Sequence, residues 1–311
     1  MRITLVGAGA IGSLWALKLH QAGHYIHVWT RDFRPTIELG LKDGTKETFS
    51  SNNVQLLLDS DCILFCVKIF QVVGALDAIL PYLNLNALVI FMYNGMGISE
   101  AVLTRLGTTP VILATTAQAS FKLSKVEIKH NGIGETRLGG VNDAGKQYSF
   151  IADVFHHALA PCFWEEEIKH ALWRKLAINC LINPLSALNQ IANGELIKKI
   201  WHKKLEQLSG EFAEVARKEK INLSKEEILE LSLAVARATA NNYCSMNRDV
   251  FFKRPSEIDF ITGYLISRAK YYSIHVPLNV SLYQEIKNLE CSYDKRQYTH
   301  FSSTRYRKNI S

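Results

Sequence analysis

Through the first 160 or so residues the apolar positions come in short unbroken runs rich in β-branched and aromatic side chains: Ile3–Val6, Tyr25–Trp29, Cys62–Val67, Leu88–Met92 and Val111–Thr116. Between them, apolar residues return at helical spacing, as at Leu14 and Leu17, beside Lys18 and His20, and across Gln71–Leu80. A strand buried on both faces reads as a continuous apolar run, and strand followed by helix in repetition predicts a doubly wound parallel sheet. Val126–Ile128 and Thr136–Leu138, joined through Asn131-Gly132, predict a late antiparallel hairpin.

After about Phe163 the 3.6-residue period takes over and predicts helices over 168–191, 196–219, 225–246, 257–272 and 279–290. Ser224 followed by Glu227 is a capping box, Ser256 is placed to cap a helix starting at Glu257, and Pro277 separates the last two helices. Pro184 predicts a kink or break in the first of them. The fold class expected is therefore α/β, an N-terminal Rossmann-type doubly wound parallel sheet followed by an all-α C-terminal domain. Residues 1–167 form the first domain, 168–294 the second and 295–311 a basic polar tail. The helix at 168–191 links the two, so a cleft is expected beside it.

A length of 311 residues favours two cores over one, and 48% apolar with 21% charged residues excludes a disordered or collagenous chain. The formal charge of +7 is unevenly spread: residues 1–167 carry 13 basic and 15 acidic side chains, 168–294 carry 18 and 14, and 295–311 five and none. The excess lies largely in a tail without apolar periodicity, expected to be frayed, which argues against a nucleic-acid partner. Six cysteines show no C-x-x-C pair and no histidine at zinc-ligand spacing, so free thiols and no metal are expected. The opening apolar run is short and broken by glycine, unlike a signal peptide, and no run approaches the roughly 20 residues of a membrane helix. A cytoplasmic protein is expected.

Gly7-Ala8-Gly9-Ala10-Ile11-Gly12 follows the first strand and opens a helix, and a second strand ends near Trp29. That context turns a weak G-x-G-x-x-G signal into a dinucleotide fingerprint. Gly7 permits the tight turn, Gly9 lets the backbone approach a pyrophosphate, Gly12 lets helix and strand pack closely, and the helix N-terminus offers free N–H groups to the anion. The second strand ends Trp29-Thr30-Arg31-Asp32. Arg31 suits a 2′-phosphate, which predicts NADPH, whereas a shift of one residue would set the Asp32 carboxylate at the ribose. Lys68 and Asn94, in the Asn94-Gly95-Met96-Gly97 turn, stand at carboxyl ends of strands, where ligands of open α/β sheets bind.

In LWRKLAINCLINPLSAL, Lys175, Asn179 and Asn183 recur every four residues and share one helix face, a polar stripe on an otherwise apolar helix. A stripe facing water is the plain reading of that helix alone; its place at the domain junction favours a site. Asn193-Gly194-Glu195-Leu196, the Asn241–Ser245 segment and Ser256-Glu257-Ile258-Asp259 follow, each readable in isolation as a turn or cap. No Ser/His/Asp order, H-E-x-x-H or P-loop competes with them.

Taken together, GAGAIGSLWA, WTR, CVK, NGMG, LWRKLAINCLINPLSAL, NGEL and SEIDFITGYLISRA resemble, in order and over nearly the whole chain apart from the tail, the ketopantoate reductases, or 2-dehydropantoate 2-reductases. The resemblance implies NADPH-dependent reduction of 2-dehydropantoate to (R)-pantoate, a step toward pantothenate and coenzyme A. Lys175 is similar in position to the family's general acid and Glu257 to its active-site carboxylate, which also reaches the cofactor. Asn179, Asn183, Asn193 and Ser245 match substrate-binding positions alongside Lys175. Gly7, Ala8, Gly9, Ala10, Ile11, Gly12, Arg31, Lys68, Asn94 and Ser120 match NADP-binding ones. Cys244 stands where relatives often carry a second small polar residue. A reductase of another branched 2-keto acid or an opine-type substrate, and a non-catalytic NADPH-binding regulator, remain alternatives. The partner expected is a small keto acid, with no nucleic acid and no membrane, and the protein a monomer or homodimer.

Overall fold

The computed structural model describes residues 1–97 and 100–293. The tail at 295–311 lies outside the described residues. Contacts divide the chain into two units: the first runs from Met1 to Tyr93 and resumes after Gly97 up to Ala171, and the second is Asn94–Gly97 together with the chain from Leu172 onward.

The first unit is built on β1 (Arg2–Val6), α1 (Ala10–Gln21), β2 (Tyr25–Trp29), β3 (Thr36–Leu41), β4 (Lys46–Ser51), α2 (Val54–Leu58), β5 (Cys62–Phe65), α3 (Val72–Ile79), β6 (Leu88–Met92), α4 (Glu100–Leu106), β7 (Val111–Thr116), β8 (Ala119–Lys122), β9 (Glu127–Gly132), β10 (Thr136–Gly140), α5 (Asp143–Lys146), α6 (Ile151–Ala158) and β11 (Cys162–Trp164). One sheet contains all these strands, in the order β11-β10-β7-β6-β5-β1-β2-β4-β3-β9-β8. Its centre, from β7 through β6, β5, β1 and β2 to β4, is parallel. Antiparallel pairs β10·β7, β3·β4 and β8·β9 lie toward the two sides.

The unbroken apolar runs follow from burial on both faces. Along β5 and β6, Cys62, Leu64, Leu88 and Ile90 join one core with Leu14, Trp15 and Phe155, while Ile63, Phe65, Val89 and Phe91 join another with Val72, Leu76 and Leu106. The period of two thus splits each strand between two helical layers. Trp15 of α1 meets Phe155 of α6 at 4.8 Å between ring centres.

The expected hairpin between residues 126–128 and 136–138 does not form. β9 pairs instead with β8 and with β3, and β10 with β7 and β11. Asn131-Gly132 continues a strand, and each run finds its antiparallel partner in the chain that precedes it. The β3–β4 hairpin, absent from the sequence expectations, turns at Asp43-Gly44, with Gly44 at φ 98° and the Leu41 N–H donating to the Thr45 carbonyl at 2.8 Å.

The second unit takes its helices from α7 (Ile168–Asn189), α8 (Lys199–Lys218), α9 (Lys225–Ala238), α10 (Ser245–Phe251), α11 (Thr262–Tyr271) and α12 (Pro277–Cys291). α7 is unbroken, with Pro184 inside it, and ends where Gln190 turns left-handed at φ 50° and the Ile191 N–H returns to the Ser186 carbonyl. The expected helix over 225–246 stops at Ala238, and α10 starts afresh with Cys244 as its cap. The Ser224–Glu227 capping box is present. Glu257, rather than Ser256, stands at the N-cap of a short 3-10 turn. Trp173, Leu176, Cys180 and Leu181 of α7 are packed with Leu205, Leu208 and Phe212 of α8 and Leu282 and Ile286 of α12. A helix buried this fully is apolar nearly all round.

Beneath the first unit's sheet lies a closed polar chain. Asn53 donates its backbone N–H to His27 Nε2 at 3.0 Å, so Nδ1 carries the hydrogen and donates to Thr4 Oγ1 at 3.0 Å. The Thr4 hydroxyl meets Ser60 Oγ at 2.6 Å, and Ser60 donates to the Leu56 carbonyl at 2.8 Å. Burial pulls the His27 pKa down to about 4, below its ordinary 6.5. As pH falls, the unfolded chain therefore takes up this proton before the folded one does. The contribution of neutral His27 is intact above pH 6.5 and is lost progressively between 6.5 and 4, amounting to about 3 kcal/mol. Urea unfolding across that window is expected to show His27→Gln losing less stability on acidification than the parent; equal slopes would remove His27 as the cause.

Candidate active site

β1, β2 and β5 are parallel neighbours, so their carboxyl ends share one edge of the sheet. On that edge Gly7 takes φ 97° and donates its N–H to the Trp29 carbonyl at 2.9 Å. A Cβ on Gly12 would stand 2.1 Å from the Gly7 carbonyl oxygen, so only glycine lets α1 start so close to the strand. At Gly9 the nearest atom to such a Cβ is the Cys66 carbonyl oxygen at 3.8 Å, and the residue is exposed. Gly9 caps α1 with no side-chain bond and no acidic residue follows in the first turn, which leaves that helix end electropositive. Ala8, Ala10 and Ile11 are half-buried in the same turn.

Arg31 is exposed just past β2. The loop it stands in is braced by Asn52, whose Oδ1 accepts from the Thr30 N–H at 2.9 Å. Lys68 stands just past β5, half-buried, with its backbone N–H donating to Gln71 Oε1 at 3.2 Å. These three features gather on one edge. Ser120 is on β8, at one end of the strand order but packed on α1; its Oγ is buried without a hydrogen-bond partner among the described residues.

In the second unit the central feature is an ammonium on a buried helix. Lys175 and Asn179 are partly buried and Asn183 is 5% exposed, all on one face of α7. Desolvation brings the Lys175 pKa down to about 8, and the negative charge of Glu257 works against that fall. Glu257 is itself 3% exposed. Its Oε2 accepts from Asn94 Nδ2 at 3.3 Å, and the Met96 N–H donates to the Phe260 carbonyl at 2.8 Å, so the Asn94–Gly97 segment lies along the Glu257–Phe260 turn. The structure thus brings together Lys175, Glu257 and Asn94. A lysine with a pKa near neutrality beside a carboxylate can deliver a proton and hold developing negative charge.

The remaining predicted residues have other neighbours. Asn193 is buried, with its N–H donating to the Asn242 carbonyl and its Nδ2 to Thr239 Oγ1, both at 2.9 Å, while its Oδ1 has no hydrogen-bond partner among the described residues. Ser245 is exposed at the start of α10, and Cys244 caps that helix by accepting from the Asn247 N–H at 3.3 Å. Asn247 escaped the sequence reading. It is 2% exposed, and its Nδ2 donates to the carbonyls of Ser186 at 2.7 Å and Ile191 at 3.2 Å, tying α10 to the end of α7. Nothing in CSMNRDVF marks this asparagine apart from an ordinary helical one.

Residues 3–143 match the family described as Ketopantoate reductase PanE/ApbA, and residues 167–290 match Ketopantoate reductase PanE/ApbA C terminal. The chain belongs to the ketopantoate reductase family. Within it, the sequence is 44% identical over 295 residues to the 2-dehydropantoate 2-reductase of Vibrio cholerae, covering 95% of this chain and 100% of that one. It is 33% identical over 299 residues to that of Escherichia coli O157:H7, covering 95% and 97%. A solved PanE/ApbA family ketopantoate reductase from Ralstonia eutropha superposes with a TM-score of 0.81 at 26% identity, over 94% of this chain and 99% of that one. A D-mandelate dehydrogenase solved with NADH and anilino(oxo)acetate shares the fold, with a TM-score of 0.85 at 22% identity over 94% and 99%. As a ketopantoate reductase family member the protein is an oxidoreductase. Among the described residues no helix is long and apolar enough to cross a membrane.

The two glycine environments give a paired test. Gly12→Ala is expected to cost about 2–3 kcal/mol, since the new methyl must displace the Gly7 carbonyl. Gly74→Ala, in α3 with nothing within 4 Å of the new atom, should gain roughly 0.5–1 kcal/mol. Urea denaturation of both variants checks the contrast, and a neutral Gly12→Ala would show that the turn can open.

Proposed function

We propose that this protein reduces 2-dehydropantoate to (R)-pantoate with NADPH, in the synthesis of pantothenate and coenzyme A, with Lys175 as general acid and Glu257 as the carboxylate that holds it. The observation that carries the proposal is the charge of Glu257, itself 3% exposed, acting on the partly buried ammonium of Lys175, on the two motifs that most resemble the family. The names of the relatives support the substrate.

A dinucleotide suits the residues of the first unit. The space at Gly9 and the uncapped start of α1 fit a pyrophosphate, and the Arg31 guanidinium suits a 2′-phosphate better than a bare ribose hydroxyl. When bound, the nicotinamide supplies a hydride to the keto carbon. Lys175 then donates its Nζ proton to the oxygen that has gained the electron pair of the former C=O bond, giving the hydroxyl, and recovers a proton from solvent. Glu257 keeps the ammonium charged and aimed. Asn179, Asn183, Asn193 and Ser245 are assigned to the carboxylate and hydroxyl groups of the acid, with Ser120, Lys68 and Asn94 on the cofactor. Domain roles follow: nucleotide binding by residues 1–167 and substrate binding with catalysis by 168–294.

Lys175→Ala is expected to lower kcat about 10²- to 10⁴-fold with little change in the Kd for NADPH. Because the acid must be protonated, kcat should fall as pH rises through about 8. Near-normal turnover in the variant refutes the role.

Cofactor choice is tested by comparing kcat/KM for NADPH and NADH in the parent and in Arg31→Ala. The parent should prefer NADPH, and the variant should lose roughly 10- to 100-fold with NADPH while NADH use stays nearly constant. Equal use of NADH by the parent would transfer the ribose to Asp32. A panel of 2-keto acids run beside 2-dehydropantoate fixes the substrate.

A further inference from the structure

Glu257 is at the head of a single 3-10 turn, Ile258–Phe260, so no long helix fixes its direction. What surrounds it in sequence is held from α12. The backbone N–H and the hydroxyl of Ser256 both donate to Glu290 Oε1, at 2.8 and 2.7 Å, and Ser256 and Glu290 are 4% and 8% exposed. On the other side of Glu257, Asp259 receives the Tyr283 hydroxyl at 2.7 Å and Lys287 Nζ at 3.0 Å. Lys287 also pairs with Glu290 Oε2 at 3.3 Å, closing the set. Burial works against the Lys287 ammonium, yet Asp259 and Glu290 push its pKa up to about 12, so it is charged at any working pH.

Tyr283, Lys287 and Glu290 are spaced four and three apart and therefore share one face of α12. The other end of that helix is fixed by α8: Glu211 accepts from the backbone N–H groups of Leu278 and Asn279 and from Asn279 Nδ2, at 2.9, 3.0 and 2.8 Å. A helix anchored at its start thus grips residues on both sides of Glu257 through buried or charge-assisted bonds, which are the stronger kind.

We infer that the Tyr283–Lys287–Glu290 face of the last helix is a positioning device for Glu257, fixing its carboxylate in the direction that meets Lys175 and Asn94. Glu290 is its central positioning residue, and it acts through Ser256. This rests on the reading of Lys175 and Glu257 as the catalytic pair. Within this one short turn Glu257 and Asp259 are drawn to different partners, Asn94 and Tyr283.

The test measures kcat, KM for 2-dehydropantoate and the pH profile of kcat with NADPH in Glu290→Ala, Glu290→Gln and Lys287→Met, alongside Lys175→Ala, with circular dichroism and Tm to establish folding. A loosened Glu257 should lower kcat per folded enzyme about tenfold or more in Glu290→Ala and several-fold in Lys287→Met. It should also move the alkaline limb to lower pH by about half a unit, because a receding carboxylate supports the Lys175 charge less. Glu290→Gln, which keeps an oxygen for Ser256, should recover most of the kcat. Folded Glu290→Gln and Lys287→Met variants with the parent's kcat and limb, beside an inactive Lys175→Ala, would overturn the positioning role while leaving the catalytic pair standing. Those two variants decide the matter if Glu290→Ala does not fold. An active Lys175→Ala would instead bring down the reading of the pair itself.

Discussion

An ammonium on a helix buried nearly all round is the constraint around which the second unit is organised. Desolvation disfavours the charge of Lys175, and the negative charge of Glu257 opposes that effect. Glu257 is the compensation, but a carboxylate 3% exposed incurs the same cost and must itself be met, in part by the amide of Asn94. Each group is tolerable because the next is in place. Removing one partner of such a pair leaves the other stranded, which is why geometry here has little room to drift.

The two units differ in what they present. The first presents backbone: the turn at Gly7–Gly12 matters for what it lacks, a Cβ at Gly12 and a side-chain cap at Gly9. The second presents side chains carried by separate helices and turns. Backbone recognition is written in local spacing; side-chain constellations are written in tertiary structure.

That difference decides what could be read from residues alone. The parallel strands were legible because burial on both faces leaves no polar position, and Lys175, Asn179 and Asn183 because one helix period aligns them. The β3–β4 hairpin had a usable signal in Asp43-Gly44, although its strands are half polar. The expected 126–138 hairpin went astray because adjacency in sequence does not say which neighbour a strand chooses, and β9 and β10 both chose earlier partners. The end of α9 at Ala238 carries no proline or glycine; it is held by Asn193 and Gly194, whose N–H groups donate to the carbonyls of Asn242 and Ala240. The link between Lys175 and Glu257 came only from the family resemblance, and Asn247 and Glu290 from neither source, since their bonds join residues 34 to 61 positions apart.

The Asn94–Gly97 segment leaves a last consequence. It follows β6 directly, yet it is counted with the helical unit and bonds to residues of the Glu257 turn. A fragment containing only the chain beyond Leu172 would therefore lack part of its own interior, and the two units are not separable as contiguous stretches of gene. During synthesis the asparagine emerges 163 residues before the glutamate it serves. At ordinary translation speed that is a wait on the order of ten seconds, so the contacts of the carboxylate are among the last things the nascent protein can finish.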